Sequence, residues 1–229
     1  MNIPIIFEDN HLLVVDKPIN IPSQKDESND DDLQTILKTY LKEKYDKPGN
    51  VFLALVHRLD RPVSGVMVLA KTSKAASRLS DQIRDRIFYK KYQAVIMGKC
   101  PPNGEFIHYL VKDQKTNITK VVPASVSYAK KAVLNYHRID YKNGCSLVDI
   151  DLITGRSHQV RVQFAAEGFP LWGDKKYGES VTLPAKFQTR QKGSLALRAV
   201  SISFLHPIKK EPISFEVNRP SFEPWSYFL

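Results

Sequence analysis

HRLDRPVSG, from His57 to Gly65, follows the apolar run VFLAL at residues 51–55. One carboxylate, Asp60, sits among His57, Arg58 and Arg61, with Pro62 and Gly65 close behind. A strand end that runs into a tight turn containing Pro and Gly is a rigid place to present a side chain. Nearby arginines favour the ionised carboxylate through opposite charge and hydrogen bonding, so Asp60 is a candidate nucleophile or base. Two plainer readings compete with that one. Aspartate is a common turn former, and Asp60 could pair with Arg61 at the surface. His57 and Asp60 could also ligate a metal. The HxxD spacing arises easily by chance, however, and the chain has neither HExxH nor a cysteine ligand pair, so no metal is expected.

Outward from this stretch the chain alternates between strand and helix patterns. VFLALVHRL (51–59) reads as a buried strand and GVMVLAK (65–71) as a second, with Asp60 in the turn between them. Upstream, IPIIFEDNHLLVVDKP reads as two short strands around a polar turn at Glu8–Asn10. SQKDESNDDD is an exposed acidic loop, and Asp31 or Asp32 caps a helix carrying Leu33, Ile36, Leu37, Tyr40 and Leu41 on one face. Downstream, SKAASRLSDQIRDRI places Ala76, Leu79 and Ile83 on one helical face, and YKKYQAVIMG returns to a strand that carries Tyr92.

Residues 111–131 are polar and lysine-rich and read as hairpin or loop. AVLNYHRID and CSLVDIDL form a hairpin around the turn YKNG. TGRSHQVRVQFAAEGF fits either a strand or a helix. Ala165–Ala166 and its length favour a helix, with Ser157 as N-cap and Gly168 as the stop. In that helix Arg161 lies one turn from His158. The crowded polar start, with Arg156 and His158, suits a phosphate, because helix N-termini attract anions. LALRAVSISFLHP and PISFEVNRP supply two final strands. The sum is a single α+β domain over residues 1–229, a mixed, largely antiparallel sheet with flanking helices.

The chain has 229 residues, of which 42% are hydrophobic and 25% charged, which is ordinary for a globular fold with a real core. Thirty-four Lys and Arg against twenty-four Asp and Glu give a net charge of +10, and a domain this basic often meets a polyanion, usually nucleic acid. No GxxxxGK[ST], GxGxxG or GxSxG is present, which argues against NTPase, dinucleotide-binding and α/β-hydrolase chemistry. The two cysteines, Cys100 and Cys145, make no disulfide framework, so a reducing cytoplasm is the default expectation. The N-terminus has no basic n-region and no apolar run approaches the length of a membrane span, so neither a signal peptide nor a membrane partner is expected.

Taken together, HRLDRPVSGVMVLAKT, YKKYQAVIMGK, AKKAVLNYHRI, LITGRSHQVRVQFAAEGFPLWGDKKYG and LALRAVSISFLHP resemble, in order and spacing, the successive motifs of the RluA-type RNA pseudouridine synthases. The opening IIFEDNHLLVVDKPINIPS is similar to that family's entry strands, so the resemblance spans nearly the whole chain. It implies that Asp60 is the catalytic aspartate and that Tyr92 is the active-site tyrosine packing against the target base. It implies that Arg161 is the basic partner of Asp60, that Arg58 occupies space near a flipped nucleotide, and that Leu197 belongs to the apolar pocket floor. Arg198 stands where the family often has His, and Val63 where it usually has a smaller residue. Many relatives carry an N-terminal S4-type RNA-binding domain, and none is expected here.

The reaction implied is the conversion of uridine to its C-glycoside isomer. The N1–C1′ bond breaks and a C5–C1′ bond forms, with no redox change and no net hydrolysis, so no cofactor is expected. A glycosidase ordinarily uses two carboxylates, whereas the Asp60 motif offers one, with Asp174 a distant second candidate. The target base must leave the RNA stack to reach a buried aspartate. The implied partner is structured RNA, ribosomal or transfer, with no nucleotide cofactor, and a monomer is the default. A non-catalytic RNA-binding protein that keeps the fold, or an enzyme of small nucleosides, would be the rivals. The first could dispense with Asp60, Tyr92 and Arg161, and the second would not need the positive charge.

Overall fold

The computed structural model describes residues 3–28, 30–178 and 194–229. In chain order the elements are β1 (Ile5–Glu8), β2 (Leu12–Lys17), α1 (Leu33–Lys44), β3 (Ala54–Leu55), β4 (Ser64–Ala70), α2 (Ser73–Arg84), β5 (Tyr89–Met97), β6 (Asn103–Asp113), β7 (Ile118–Val122), β8 (Lys130–Lys142), β9 (Cys145–Leu152), α3 (Gln159–Ala166), β10 (Leu197–Leu205) and β11 (Pro212–Glu216), with a closing 3₁₀ turn at Trp225–Phe228. They gather into two compact units, Met1–Lys90 with Ala199–Val217, and Lys91–Arg198 with Asn218–Leu229. The expected α+β class and largely antiparallel sheet are found.

In the first unit β2 lies between β1 and β4, antiparallel to both, with Leu12 opposite Ala70 and Lys17 opposite Gly65. β4, SGVMVLA, is buried at every position, as its continuous apolar run requires of a strand covered on both faces. α1 begins where Asp32 accepts the Thr35 N–H at 3.0 Å, and it buries Leu33, Leu37 and Leu41. Gly65 has φ +125°, and a Cβ there would fall 2.1 Å from the Ala199 carbonyl oxygen of β10. Only glycine fits at that approach.

Two expectations are corrected in this unit. VFLALVHRL is not a full strand: only Ala54 and Leu55 pair with β4, opposite Ala70 and Leu69. Beyond them side chains replace the backbone ladder. The Val68 N–H donates to His57 Nε2 at 3.1 Å, and the Ser23 hydroxyl donates to the Leu59 carbonyl at 2.7 Å while accepting the Leu59 N–H at 3.2 Å. The buried backbone groups are satisfied without strand geometry. The buried stripe of α2 is Ala75, Leu79 and Gln82, in place of Ala76, Leu79 and Ile83. The Gln82 amide donates to the Leu205 carbonyl and accepts the Leu205 N–H, both at 2.8 Å, so a polar residue takes an inward position by acting as a strand partner.

In the second unit the sheet order is β5–β9–β8–β6–β7, antiparallel throughout. The hairpin β8–β9 closes through Asn143 (φ +53°) and Gly144 (φ +79°), the left-handed pair that a two-residue hairpin turn needs. The polar stretch around residue 111 is a hairpin, β6–β7, whose first strand starts well upstream at Asn103. α3 covers one face of this sheet, where Val162 packs with Leu110, Ala132 and Tyr177, and Phe164 meets the rings of Phe106 and Tyr136. Trp172, Trp225 and Phe228 close a separate core over Val95, Met97, Cys145 and Leu147. Both cysteines are buried, and neither is in a disulfide.

Gly65→Ala should destabilise the protein by at least ~3 kcal/mol, since it adds a backbone clash to a left-handed φ that alanine disfavours. Urea denaturation of the variant reads this directly. A loss below ~1 kcal/mol would show that β4 and β10 do not meet as described.

Candidate active site

The Asp60 turn is built from the inside by a lysine. Lys17, the last residue of β2, is fully buried, and its ammonium donates to the Pro18 carbonyl at 2.9 Å and to the Arg61 carbonyl at 3.2 Å. The Arg61 carbonyl also accepts the Asn20 N–H at 2.8 Å, and the Val63 N–H donates to the Asp60 carbonyl at 3.0 Å. Both sides of Asp60 are therefore held through backbone. Burial pushes the Lys17 pKa down to about 7, against the pull of the Asp60 charge and with the repulsion of Arg61 adding to it. A neutral amine still has the two N–H groups that the two carbonyls need, so the clamp survives deprotonation.

His57 and Arg61, the flanking cations, have structural work. His57 accepts the Val68 N–H at Nε2, so its proton sits on Nδ1 in the neutral ring. Burial, with help from the Lys90 charge, lowers its pKa to about 3. It is not a cation at physiological pH. Arg61 donates to the Asn20 carbonyl at 3.2 Å and to Asp26 and Asp30 of the acidic loop. Arg58 is exposed and Asp60 half-buried.

The second unit carries a compact polar cluster. Arg161 in α3 gives Nε and Nη2 to the two oxygens of Asp174 at 2.8 and 2.7 Å, a bidentate pair that is almost wholly buried. The same carboxylate accepts the N–H groups of Lys176 and Tyr177, at 3.0 and 3.2 Å. The Tyr177 ring lies under the Arg161 guanidinium, 5.1 Å from centroid to carbon, and its hydroxyl meets His158 Nδ1 at 2.6 Å and accepts the Thr119 N–H at 2.9 Å. Burial raises the Tyr177 pKa, which keeps the phenol protonated and able to donate to His158.

α3 starts differently from the expected cap. His158, not Ser157, holds the N-cap position, in the left-handed region at φ +54° and without a side-chain cap bond. The loop before it is folded by Gln159, whose Oε1 accepts the Arg156 N–H at 2.9 Å and the Thr154 hydroxyl at 2.8 Å. Gly168 does end the helix, at φ +82°.

Of the residues singled out by sequence, Asp60 and Arg58 lie in the first unit, and Tyr92, Arg156, His158, Arg161 and Leu197 in the second. His158 and Arg161 are brought together through Tyr177, one turn apart as the helix requires. Tyr92 is buried in β5 opposite Ile150, which is opposite Tyr136. Leu197 is buried at the start of β10. Arg156 stands apart, exposed, with Nε donating to the Lys131 carbonyl at 3.1 Å. Nothing in the sequence pattern assigns a role to Lys17 or Tyr177, and Asp174 stands in it only as a distant second carboxylate. The GD--YG spacing, which sets Asp174 three residues before Tyr177, was the available sign of that pair.

Structural relatives bear on the fold and sequence relatives on the family. A solved structure described as human RNA pseudouridylate synthase domain containing 4 superposes with a TM-score of 0.79, covering 95% of this chain and 88% of its own at 24% identity, and this establishes the fold. The profile of the RNA pseudouridylate synthase family matches residues 11–166. A ribosomal large subunit pseudouridine synthase D from Zymomonas mobilis is 34% identical over 219 residues, which are 94% of this chain and 69% of that protein. A ribosomal large subunit pseudouridine synthase C from Vibrio vulnificus is 32% identical over 224 residues, 96% of this chain and 66% of that one. The chain belongs to the RNA pseudouridylate synthase family, as its motifs led us to expect, and it spans about two thirds of the length of these two curated relatives.

Two measurements probe the site. Because Lys17 titrates near 7 in the folded chain and at about 10.5 when unfolded, the unfolded state binds the extra proton between those values, and stability rises with pH across that window. Lys17→Met should remove that rise, so the melting temperature of wild type should climb relative to that of the variant from pH 7 to pH 10. A constant gap would mean that the lysine is not buried as described. Separately, Asp174→Ala leaves the Arg161 charge buried without this carboxylate and should cost about 3–5 kcal/mol in chemical denaturation. A loss under ~1 kcal/mol would count against the buried pair.

Proposed function

We propose that this chain isomerises specific uridines of ribosomal RNA to pseudouridine, with Asp60 as the essential carboxylate acting on a nucleotide flipped out of its stack. The observation that carries the proposal is the Asp60 turn itself. A buried lysine, a serine and a neutral histidine spend their hydrogen bonds on fixing the backbone around one half-buried aspartate. Such immobilisation suits a group that must meet a reacting atom in one geometry. In the same proposal Tyr92 stacks on the target base and Arg161 is the basic partner of Asp60. Arg58 fills space by the extruded nucleotide, Arg156 and His158 bind the substrate, and Leu197 forms part of the pocket floor. Residues 1–229 serve as one catalytic domain that acts as a monomer. The isomerisation conserves oxidation state and composition, so these residues suffice without a cofactor.

Ribosomal RNA is favoured over transfer RNA because the relatives described above are named for the large ribosomal subunit. The positive charge of the chain supports a polyanionic substrate over a free nucleoside. Mapping pseudouridines in total RNA from cells with and without the gene identifies the target. Loss of sites in transfer RNA alone would overturn the ribosomal assignment.

Asp60→Asn should abolish pseudouridine formation on that RNA while RNA affinity falls less than about tenfold. Retained turnover in this variant would overturn the catalytic role of Asp60. Retained RNA binding by a wild-type protein with no turnover would favour a non-catalytic binding protein. Arg161→Met should also lose activity, and full turnover in that folded variant would overturn its proposed role beside Asp60.

A further inference from the structure

The sheet of the second unit has two faces, and α3 covers only one of them. Leu110 and Ala132 pack beneath Val162, so their alternating neighbours point the other way. On that far face the register sets Val122, Tyr109 and Lys131 in one row across β7, β6 and β8. The next row along β6 pairs Val111 with Lys120, and the previous one pairs Ile107 with Val133. Residues directly opposite in antiparallel strands share a face, so these side chains stand together. Lys120 and Lys131 are exposed, Ile107 is 49% exposed, and Tyr109, Val111 and Val133 are half-buried. None of the ion pairs among the described residues uses Lys120 or Lys131.

The charge on this face is uneven. At one end Lys120 and Lys131 stand with a single carboxylate, Asp113, one row beyond Val111 and Lys120. At the other end Glu105, Asp149 and Asp151 outnumber Lys91, the residue opposite Asp151. A polyanion is therefore favoured at the end bearing Lys120 and Lys131. An aromatic ring on a strand, flanked by lysines and set in a flat apolar surface, has the makeup of a stacking platform for unpaired bases.

We propose that the far face of this sheet, centred on Tyr109 with Lys120 and Lys131, is a second RNA-binding surface that takes single-stranded RNA, stacking one base on Tyr109 and holding the adjoining phosphates with the two lysines. It rests on the assignment of RNA as substrate, and it adds a contact on the face of the sheet opposite to α3.

The test uses full-length protein and two fluorescein-labelled probes, a single-stranded oligouridine and a blunt RNA duplex, in anisotropy titrations over a salt series. Lys120→Glu with Lys131→Glu should weaken oligouridine binding at least tenfold at low salt. It should also flatten the slope of log Kd against log salt by about 1.4, at roughly 0.7 per phosphate contact on single strands. Tyr109→Ala should weaken oligouridine about five- to tenfold and leave the duplex unchanged, and Tyr109→Phe should restore the loss. Each variant is first shown to melt as wild type does, with Lys120→Gln and Lys131→Gln replacing any reversal that does not fold. Unchanged oligouridine affinity in the folded lysine variants would overturn the surface, as it would if the face served a protein partner. Equal losses on strand and duplex in Tyr109→Ala would overturn the stacking role. Wild-type turnover on ribosomal RNA is measured alongside. Its absence would sink the proposed activity and leave these binding results to be judged on their own.

Discussion

The first unit depends on one buried amine. Lys17 has no water around it, and the carbonyls of Pro18 and Arg61 stand in for that water. A lysine in this position is costly to desolvate, and a hydrophobic residue would fill the volume more cheaply. What a hydrophobic residue cannot do is tie the end of β2 to the far side of the Asp60 turn. The lysine thus converts the edge of an ordinary antiparallel pair into a brace for a loop that has no ladder of its own.

The same solution recurs. Ser23 on Leu59, His57 on Val68 and Gln82 on Leu205 each place a side chain where a strand would otherwise have supplied a backbone partner. In the second unit Asp174 and Gln159 do this for the loops on either side of α3, and Tyr177 does it for Thr119 of β7. Arg161 is held there in a fixed posture by a carboxylate and an aromatic face, which settles its orientation before any substrate arrives. Fixed charges of this kind need no reorganisation during a reaction, and that is their advantage over mobile surface groups.

Much of the architecture was legible in the residues. Strand alternation, the Asp32 cap and the Asn-Gly turn are local signals, and they appear where the pattern put them. The failures share a cause. VFLALVHRL has the composition of a strand, but its partners come from Ser23 and from the His57 ring, and no periodicity encodes a side chain that pairs with a distant backbone group. The inward turn of Gln82 was hidden for the same reason. His158 takes the cap position in place of Ser157, and Gln159 holds the preceding loop through the Arg156 N–H and the Thr154 hydroxyl. Motif order carried the family assignment. The individual duties of Lys17, Asp174 and Tyr177 could be seen only once their contacts were in place.

His57 has a consequence for how this protein can change over generations. Its ring is fastened to Val68, the Asp60 carbonyl to the Val63 N–H, and the Arg61 carbonyl to Lys17, so the chain between these points is metered residue by residue. A single insertion or deletion there would shift the aspartate off its mark even if every side chain were kept. Beyond Ser23, the acidic loop before α1 meets the turn, among the described residues, through Asp26 and Asp30 at the surface, and that part carries no such ruler. Descendants of this chain are free to vary in length at that loop, while the nine residues of HRLDRPVSG can be edited only by substitution.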